Sequence, residues 1–185
     1  MTRERVLYLA AAALTAAALM LPLWSFSMSA PQYPDETLHL QVARGGIGGD
    51  VQEVETLQHY IGVRFPTNLP ELAWATRGIV ALTALLLAGA AVGRSAAARW
   101  FRVACATLFI VFLAGSAAVV QARLYEVGHV RDPHAPMRSV RDFTPPLVGP
   151  VKVGNFTVWS LPHFGGLALV GAAALAVAGA RRRAA

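Results

Sequence analysis

The sequence contains a single cysteine and few charged residues. Cys105 is the only thiol, so no disulfide can form within the chain, and a lone cysteine in an apolar segment usually packs as a small hydrophobic side chain. Asp, Glu, Lys and Arg make up only 14% of the 185 residues, whereas hydrophobic residues make up 56%. A mean hydropathy of +0.50 is too high for a water-soluble domain of this length, so the composition predicts a membrane protein.

Ionisable residues are missing from the depths of the longest apolar segments. Each segment has roughly 18–21 residues, enough to cross a bilayer as a helix. The four segments are Val6–Phe26, Trp74–Val92, Val103–Val120 and Leu161–Ala180. Ion-coupled transport and proton pumping need ionisable groups at membrane depth, so this absence argues against both classes. It also argues against a haem that is held by histidines between the helices.

Arginines cluster on one side of these segments. They precede the first segment, separate the second from the third and follow the fourth: Arg3, Arg5, Arg94, Arg99, Arg102, Arg181, Arg182 and Arg183. Short cationic segments stay on the cytoplasmic side, so both termini are predicted to be cytoplasmic and both long loops to lie outside. The remaining basic residues form no stripe, so we expect no nucleic acid partner.

The predicted fold class is an all-α membrane protein, with a four-helix transmembrane bundle and a small mixed extracytoplasmic domain that two loops build. The predicted parts are a first helix (1–26), a first outer loop (27–73), two helices with a short basic turn (74–120), a second outer loop (121–160), and a last helix with a basic tail (161–185). The first loop is net acidic and the second net basic, so we expect them to dock rather than to be solvated separately. The first segment also resembles a signal peptide, but its long apolar core and Pro31 favour a retained anchor.

Local patterns predict a few elements in the loops and a packing motif in the helices. Alternation over Leu38–Val42 predicts a half-buried strand. Asp50 and Glu53 form a capping box for a short helix that Gly62 can end. Gly128 is expected to stop the extension of the third segment, and the proline-rich remainder of the second loop is predicted to be irregular but packed. Small residues such as Gly89 and Gly93 allow close helix packing or a homodimer.

All histidines lie outside the apolar segments or at their outer edge. Imidazole and thioether groups together suit copper, and His129, His134 and Met137 are close enough for one proline-stiffened segment to present them. His39 and His59 can complete such a site if the loops dock. The alternative is local structure, in which His134 bonds backbone and His59 caps its helix. No zinc spacing is present.

Catalytic motifs are also missing. The sequence has neither a Gly-x-Ser-x-Gly elbow nor a His-Glu-x-x-His helix. Asp132 next to His129 and His134 can form an acid–base pair, but Arg131-Asp132-Pro133 is more simply a turn with a local ion pair. We therefore predict a protein that is not an enzyme.

Several short motifs occur in order along both loops. They are Ala-Pro-Gln-Tyr-Pro (30–34), His-Tyr-Ile-Gly (59–62), Gly-His-x-x-Asp-Pro-x-Ala-Pro (128–136), Pro-Pro-Leu-x-Gly (145–149) and Asn-Phe (155–156). This set resembles a family of bacterial multi-pass membrane proteins that are often encoded beside accessory proteins of nitrous oxide reductase maturation and periplasmic copper handling. The family pattern often has Asn where this chain has Gln58, Val130 and His134. The resemblance therefore favours His59 and His129 as metal ligands.

The resemblance implies a non-enzymatic accessory protein of periplasmic copper handling or cuproenzyme maturation in the bacterial inner membrane. We assign the candidate metal ligands to His59, His129, His39, His134 and Met137, and candidate partner-binding residues to Gln32, Tyr33, Tyr60, Asp132 and Asn155. The expected partners are the lipid bilayer and a periplasmic or membrane protein. The alternative function is an anchoring subunit of a periplasmic or electron-transfer complex with no metal of its own. A permease component is disfavoured by the uncharged helices.

Overall fold

The computed structural model describes residues 2–31, 33–63, 69–130, 132, 134–136 and 142–181, and for residues 33–35, 60 and 61 it describes only the backbone. The helices are α1 (Arg3–Ala18), α2 (Val51–Ile61), α3 (Pro70–Ala91), α4 (Ala96–His129) and α5 (Phe164–Ala180). The strands are β1 (Trp24–Ala30), β2 (Tyr33–Ala43), β3 (Gly46–Gly49), β4 (Gly149–Val153) and β5 (Phe156–Pro162).

The predicted all-α fold with four membrane spans is wrong. The described part of the chain has five helices and a five-stranded antiparallel sheet. Within that part, only α3 and α4 are long and apolar enough to cross a membrane, because α1 has 16 residues and α5 has 17. The predicted first and fourth spans are too long at their outer ends, where Trp24 belongs to β1 and Leu161 to β5.

The surfaces of α3 and α4 differ from those of core helices in water-soluble proteins. In their most apolar windows only 22% and 17% of the residues are buried. Large apolar side chains such as Leu87 and Val111 are 49% and 61% exposed. A core helix would bury most of such residues. The length and composition of these two helices therefore indicate association with a membrane.

Tyr8 lies at the centre of the helix packing. Its ring is fully buried between α3 and α5, where a Cβ on Gly89 or Gly179 would come within 2.5 or 2.8 Å of it. The Tyr8 hydroxyl donates a hydrogen bond of 2.6 Å to the carbonyl of Arg102 in α4. Small residues admit this close contact. Gly89 was predicted as part of a helix-pairing motif, and in the structure the Tyr8 side chain of the same chain packs against it.

The Arg102 side chain caps the C-terminal end of α3, beside Tyr8. Its guanidinium group donates hydrogen bonds to the carbonyls of Gly89, Val92 and Gly93, at 2.9, 2.8 and 3.2 Å. The last carbonyls of a helix have no partner within the helix, so these bonds satisfy groups that would otherwise be unpaired. Together with the Tyr8 contacts, they place the first turn of α1, the α3–α4 turn and the last turn of α5 at one end of the helices.

The sheet joins the two segments that were predicted as outer loops. Its strand order is β3-β2-β1-β5-β4, so β1 lies in the centre and pairs with β2 on one side and with β5 on the other. One face contributes Met28, Val153 and Val158 to a small apolar cluster, which Val63 and Val127 complete. The pairing consists of backbone hydrogen bonds between antiparallel strands.

The local predictions have mixed outcomes. The strand at Leu38–Val42 and the helix ending at Gly62 (φ 73°) are confirmed, although the strand is longer than predicted. Asp50 precedes α2 but does not cap it, because its carboxylate accepts the backbone N–H of His39 at 2.8 Å. Gly128 lies within α4 and does not stop it, and a Cβ there would fall 1.8 Å from the carbonyl oxygen of Phe143.

Candidate metal-binding histidines

His59 and His129 have the same local geometry at the ends of two helices. His59 lies in the last turn of α2, and its Nδ1 is 2.8 Å from the carbonyl oxygen of Glu55. His129 is the last residue of α4, and its Nδ1 is 2.9 Å from the carbonyl oxygen of Tyr125. The His129 ring also stacks on the Tyr125 ring, with centroids 3.9 Å apart. Each imidazole is thus held by the helix turn that precedes it.

These hydrogen bonds fix the tautomer of both rings. A carbonyl oxygen only accepts hydrogen bonds, so Nδ1 must carry the proton in each case. The neutral ring then has its free lone pair on Nε2. His59 is exposed and His129 is partly exposed, so neither imidazole is enclosed by the fold.

A backbone contact brings together the chain segments that follow these two helices. The N–H of Asp132 donates a hydrogen bond of 2.9 Å to the carbonyl of Gly62. Gly62 also packs against Ala135, since a Cβ at Gly62 would lie 2.5 Å from the Ala135 Cβ. Gly62 follows His59 by three residues and Asp132 follows His129 by three. The contact therefore links the helix ends that carry the two candidate ligands.

The other candidate ligands have different surroundings. His39 is exposed on β2, where it pairs with Ser27 of β1. It lies on the sheet face away from the apolar cluster, whereas Leu57 of α2 packs against that cluster. His134 has a side chain that is 92% exposed, with Nδ1 3.5 Å from Asp132. The backbone N–H of His134 also donates to the Asp132 carboxylate at 2.9 Å, which agrees with a local turn. Met137 lies outside the described residues.

The candidate partner-binding residues are only partly described. Gln32 lies outside the described residues, and Tyr33 and Tyr60 are described by their backbone alone. Asn155 is exposed in the two-residue turn between β4 and β5, where Gly154 has φ 60°. Asp132 lies in the turn that contacts Gly62. Within the described ranges, no group of three or more His, Cys, Asp or Glu side chains is placed to hold a metal ion.

An ion-paired group at the start of α3 was not predicted. Arg123 of α4 donates hydrogen bonds to the Glu71 carboxylate through Nε and Nη2, and to Glu126 through Nη1 at 2.8 Å. Sequence reasoning treated these residues only as contributions to the net charge of each loop. The signal was the presence of opposite charges just beyond the facing ends of two apolar segments. The pair links α3 to α4 at the end opposite Tyr8.

One small cavity lies between the sheet and α4 in the described part of the chain. Its volume is about 20 Å³ and its lining, which includes Met28, Leu124 and Val158, is apolar. Sites for small organic molecules are usually hundreds of cubic ångströms in volume. The cavity is therefore a packing gap rather than a substrate pocket.

Comparison with known proteins yields no match to a family model, a curated protein or a solved structure. The likeness of the loop motifs to a copper-associated membrane family accordingly stays a prediction from the sequence.

Proposed function

We propose that the protein is a non-enzymatic membrane accessory protein that binds and passes on copper outside the membrane, with Nε2 of His59 and Nε2 of His129 as ligands. The observation that carries this proposal is the matched pair of Nδ1 hydrogen bonds, at 2.8 and 2.9 Å. Metal-binding histidines characteristically donate their other ring N–H to a backbone carbonyl or a carboxylate, which orients the ring and raises its basicity.

The donor atoms suit copper. Imidazole nitrogen binds copper well, and a thioether favours Cu(I) over harder ions. The sequence offers Met137, five residues after Asp132, as a source of that thioether. The apo protein would therefore present two oriented imidazoles.

The proposed location is the bacterial inner membrane, with α3 and α4 crossing it as a hairpin. The turn between them carries Arg94, and Arg99 follows in the first turn of α4, so this end is assigned to the cytoplasm. The start of α1 and the end of α5 lie at the same end, because Tyr8 of α1 contacts Gly179 of α5. The sheet and both histidines are then on the periplasmic side.

Titration of the purified protein with Cu(I) tests the metal site. We expect His59→Ala and His129→Ala each to weaken binding by at least about tenfold, the usual effect of disturbing a metal site. His39→Ala and His134→Ala are the matched controls and should bind as the unmodified protein does. Unchanged affinity in both of the first two variants, with unchanged thermal unfolding, would overturn the proposed site.

The second candidate function is an anchoring subunit without a metal. The observation that favours it is the exposure of Trp159 and Leu161 on β5, at 44% and 42%, on the sheet face away from the apolar cluster. Exposed aromatic side chains are enriched at protein interfaces. This function predicts metal-free protein after purification and a stable partner that is lost on Trp159→Ser.

A further inference from the structure

Exposed arginines from three separate segments meet at one end of the helices. Arg3 and Arg5 lie in the first turn of α1, Arg94 in the α3–α4 turn and Arg181 directly after α5, and all four are exposed. The contacts of Tyr8 with Gly89, Gly179 and the Arg102 carbonyl hold these segments side by side. The fold thus gathers charges that are far apart in the sequence into one surface, called here the basic end.

Few of these arginines are paired with an acidic side chain of the described residues. Arg102 is buried and its guanidinium is committed to helix carbonyls, as described above. Arg99 lies over the ring of Trp100, at 5.2 Å from its centroid. Among the described residues of the basic end, the only acid is Glu4, whose pKa is lowered, first by a hydrogen bond to its own backbone and then by the Thr2 hydroxyl.

The charge of the basic end is therefore strongly positive. Arg3, Arg5, Arg94, Arg99 and Arg181 contribute five positive charges, the buried Arg102 a sixth and Glu4 one negative charge, which leaves +5 among the described residues. No acidic side chain from the other described elements packed at this end offsets it. Anions from outside the fold would relieve the remaining self-repulsion among these arginines.

We propose that the basic end binds the headgroups of anionic phospholipids. The inference depends on the membrane location proposed above. Guanidinium groups bind phosphate with paired hydrogen bonds, and each basic residue near an anionic leaflet adds to the attraction. The neighbouring surface is apolar, with Val6 47% exposed and Trp100 64% exposed. This combination of cations, an interfacial indole and apolar side chains fits a lipid rather than a free phosphate ion.

The test uses full-length protein purified in a neutral detergent, where the orientation of insertion has no influence. The protein is titrated with phosphatidylglycerol and, separately, with phosphatidylcholine, at low and high salt. We expect tighter binding of phosphatidylglycerol and a loss of that preference at high salt. The double variant Arg5→Gln/Arg94→Gln should weaken it, by roughly fivefold per arginine removed.

The matched control removes the same charge from the sheet. Arg44→Gln/Lys152→Gln also takes away two exposed cations, and it should leave the lipid preference unchanged. Equal binding of the two lipids, equal losses in the two double variants, or equal binding of inorganic phosphate would each overturn the proposal. Failure of the protein to insert into neutral vesicles would instead count against the membrane location itself.

Discussion

At the scale of single residues, Tyr8 determines how closely three helices approach. Its ring fills the space left by the missing side chains of Gly89 and Gly179, and its hydroxyl satisfies a carbonyl of α4. The sequence predicted close packing from small residues such as Gly89 but did not identify Tyr8 as the side chain that they admit. The glycine pattern was visible in the sequence, whereas the side chain that fills it comes from a different helix and left no local signal.

Replacement of Gly89 or Gly179 by alanine should destabilise the helices. The added methyl group would meet the Tyr8 ring at 2.5 or 2.8 Å, and such overpacking costs about 1–3 kcal/mol. Gly115→Ala is the control, since no described atom lies within 4 Å of its added Cβ, and the gain in helix propensity should leave stability equal or higher. Thermal unfolding in detergent distinguishes these outcomes, and an equal effect at all three glycines would contradict the packing described here.

The tautomers of His59 and His129 can be measured without any metal. Because Nδ1 of each ring faces a carbonyl, we expect both neutral rings to carry the proton on Nδ1. Nitrogen chemical shifts of ¹⁵N-labelled apo protein report this directly. His39 serves as a reference, because no ring hydrogen bond of His39 is described. Protonation of Nε2 in the neutral form of His59 or His129 would contradict the proposed ligand geometry.

At the scale of elements, β1 shows why the sequence prediction failed. Ser25-Phe26-Ser27-Met28-Ser29-Ala30 alternates polar and apolar residues, which is the pattern of a half-buried strand. The preceding apolar run was extended across its start, so Trp24 and Phe26 were assigned to a helix. By contrast, α2 and its end at Gly62 were predicted from local signals, although Asp50 does not form the predicted cap. Strand pairing between β1 and β5 depends on residues far apart, so the sequence alone did not reveal it.

Ser27→Pro should disrupt the sheet. Ser27 lies between His39 of β2 and Trp159 of β5, so its backbone N–H belongs to a ladder, and proline removes it. We expect a loss of about 2–4 kcal/mol in the free energy of unfolding, from the broken ladder and its unpaired carbonyl. Ser27→Thr keeps the N–H and should be close to neutral, whereas the edge strand β4 already contains Pro150. Circular dichroism with denaturant titration measures both, and a folded, stable Ser27→Pro protein would argue against a central β1.

At the scale of the whole molecule, the basic end and the sheet lie at opposite ends of the two apolar helices α3 and α4. The basic end carries the α3–α4 turn, while the sheet follows the other ends of the helices, where Arg123 pairs with Glu71. The number of spans was overestimated because hydropathy records apolar length without distinguishing a helix from a strand that continues it. The position of the arginines relative to α3 and α4 does not depend on that count.

The two ends should be accessible from opposite sides of the membrane. In a Cys105→Ala background, Lys152→Cys on the sheet and Arg94→Cys in the α3–α4 turn place single thiols at exposed positions. In spheroplasts, a membrane-impermeant maleimide should label Cys at 152 at once and Cys at 94 only after permeabilisation. Labelling of both positions in intact spheroplasts would contradict a membrane-crossing α3–α4 hairpin.

The order of the strands also determines when the sheet can be completed during synthesis of the chain. The central partners Trp24 and Pro162 are 138 residues apart (162 − 24), and almost the whole chain must leave the ribosome before they can meet. At roughly 5–20 residues per second, β1 waits on the order of 7–28 s with one side unpaired. During this interval β1 has an open hydrogen-bonding edge, which is the part of a nascent chain most prone to aggregate or to be held by a chaperone.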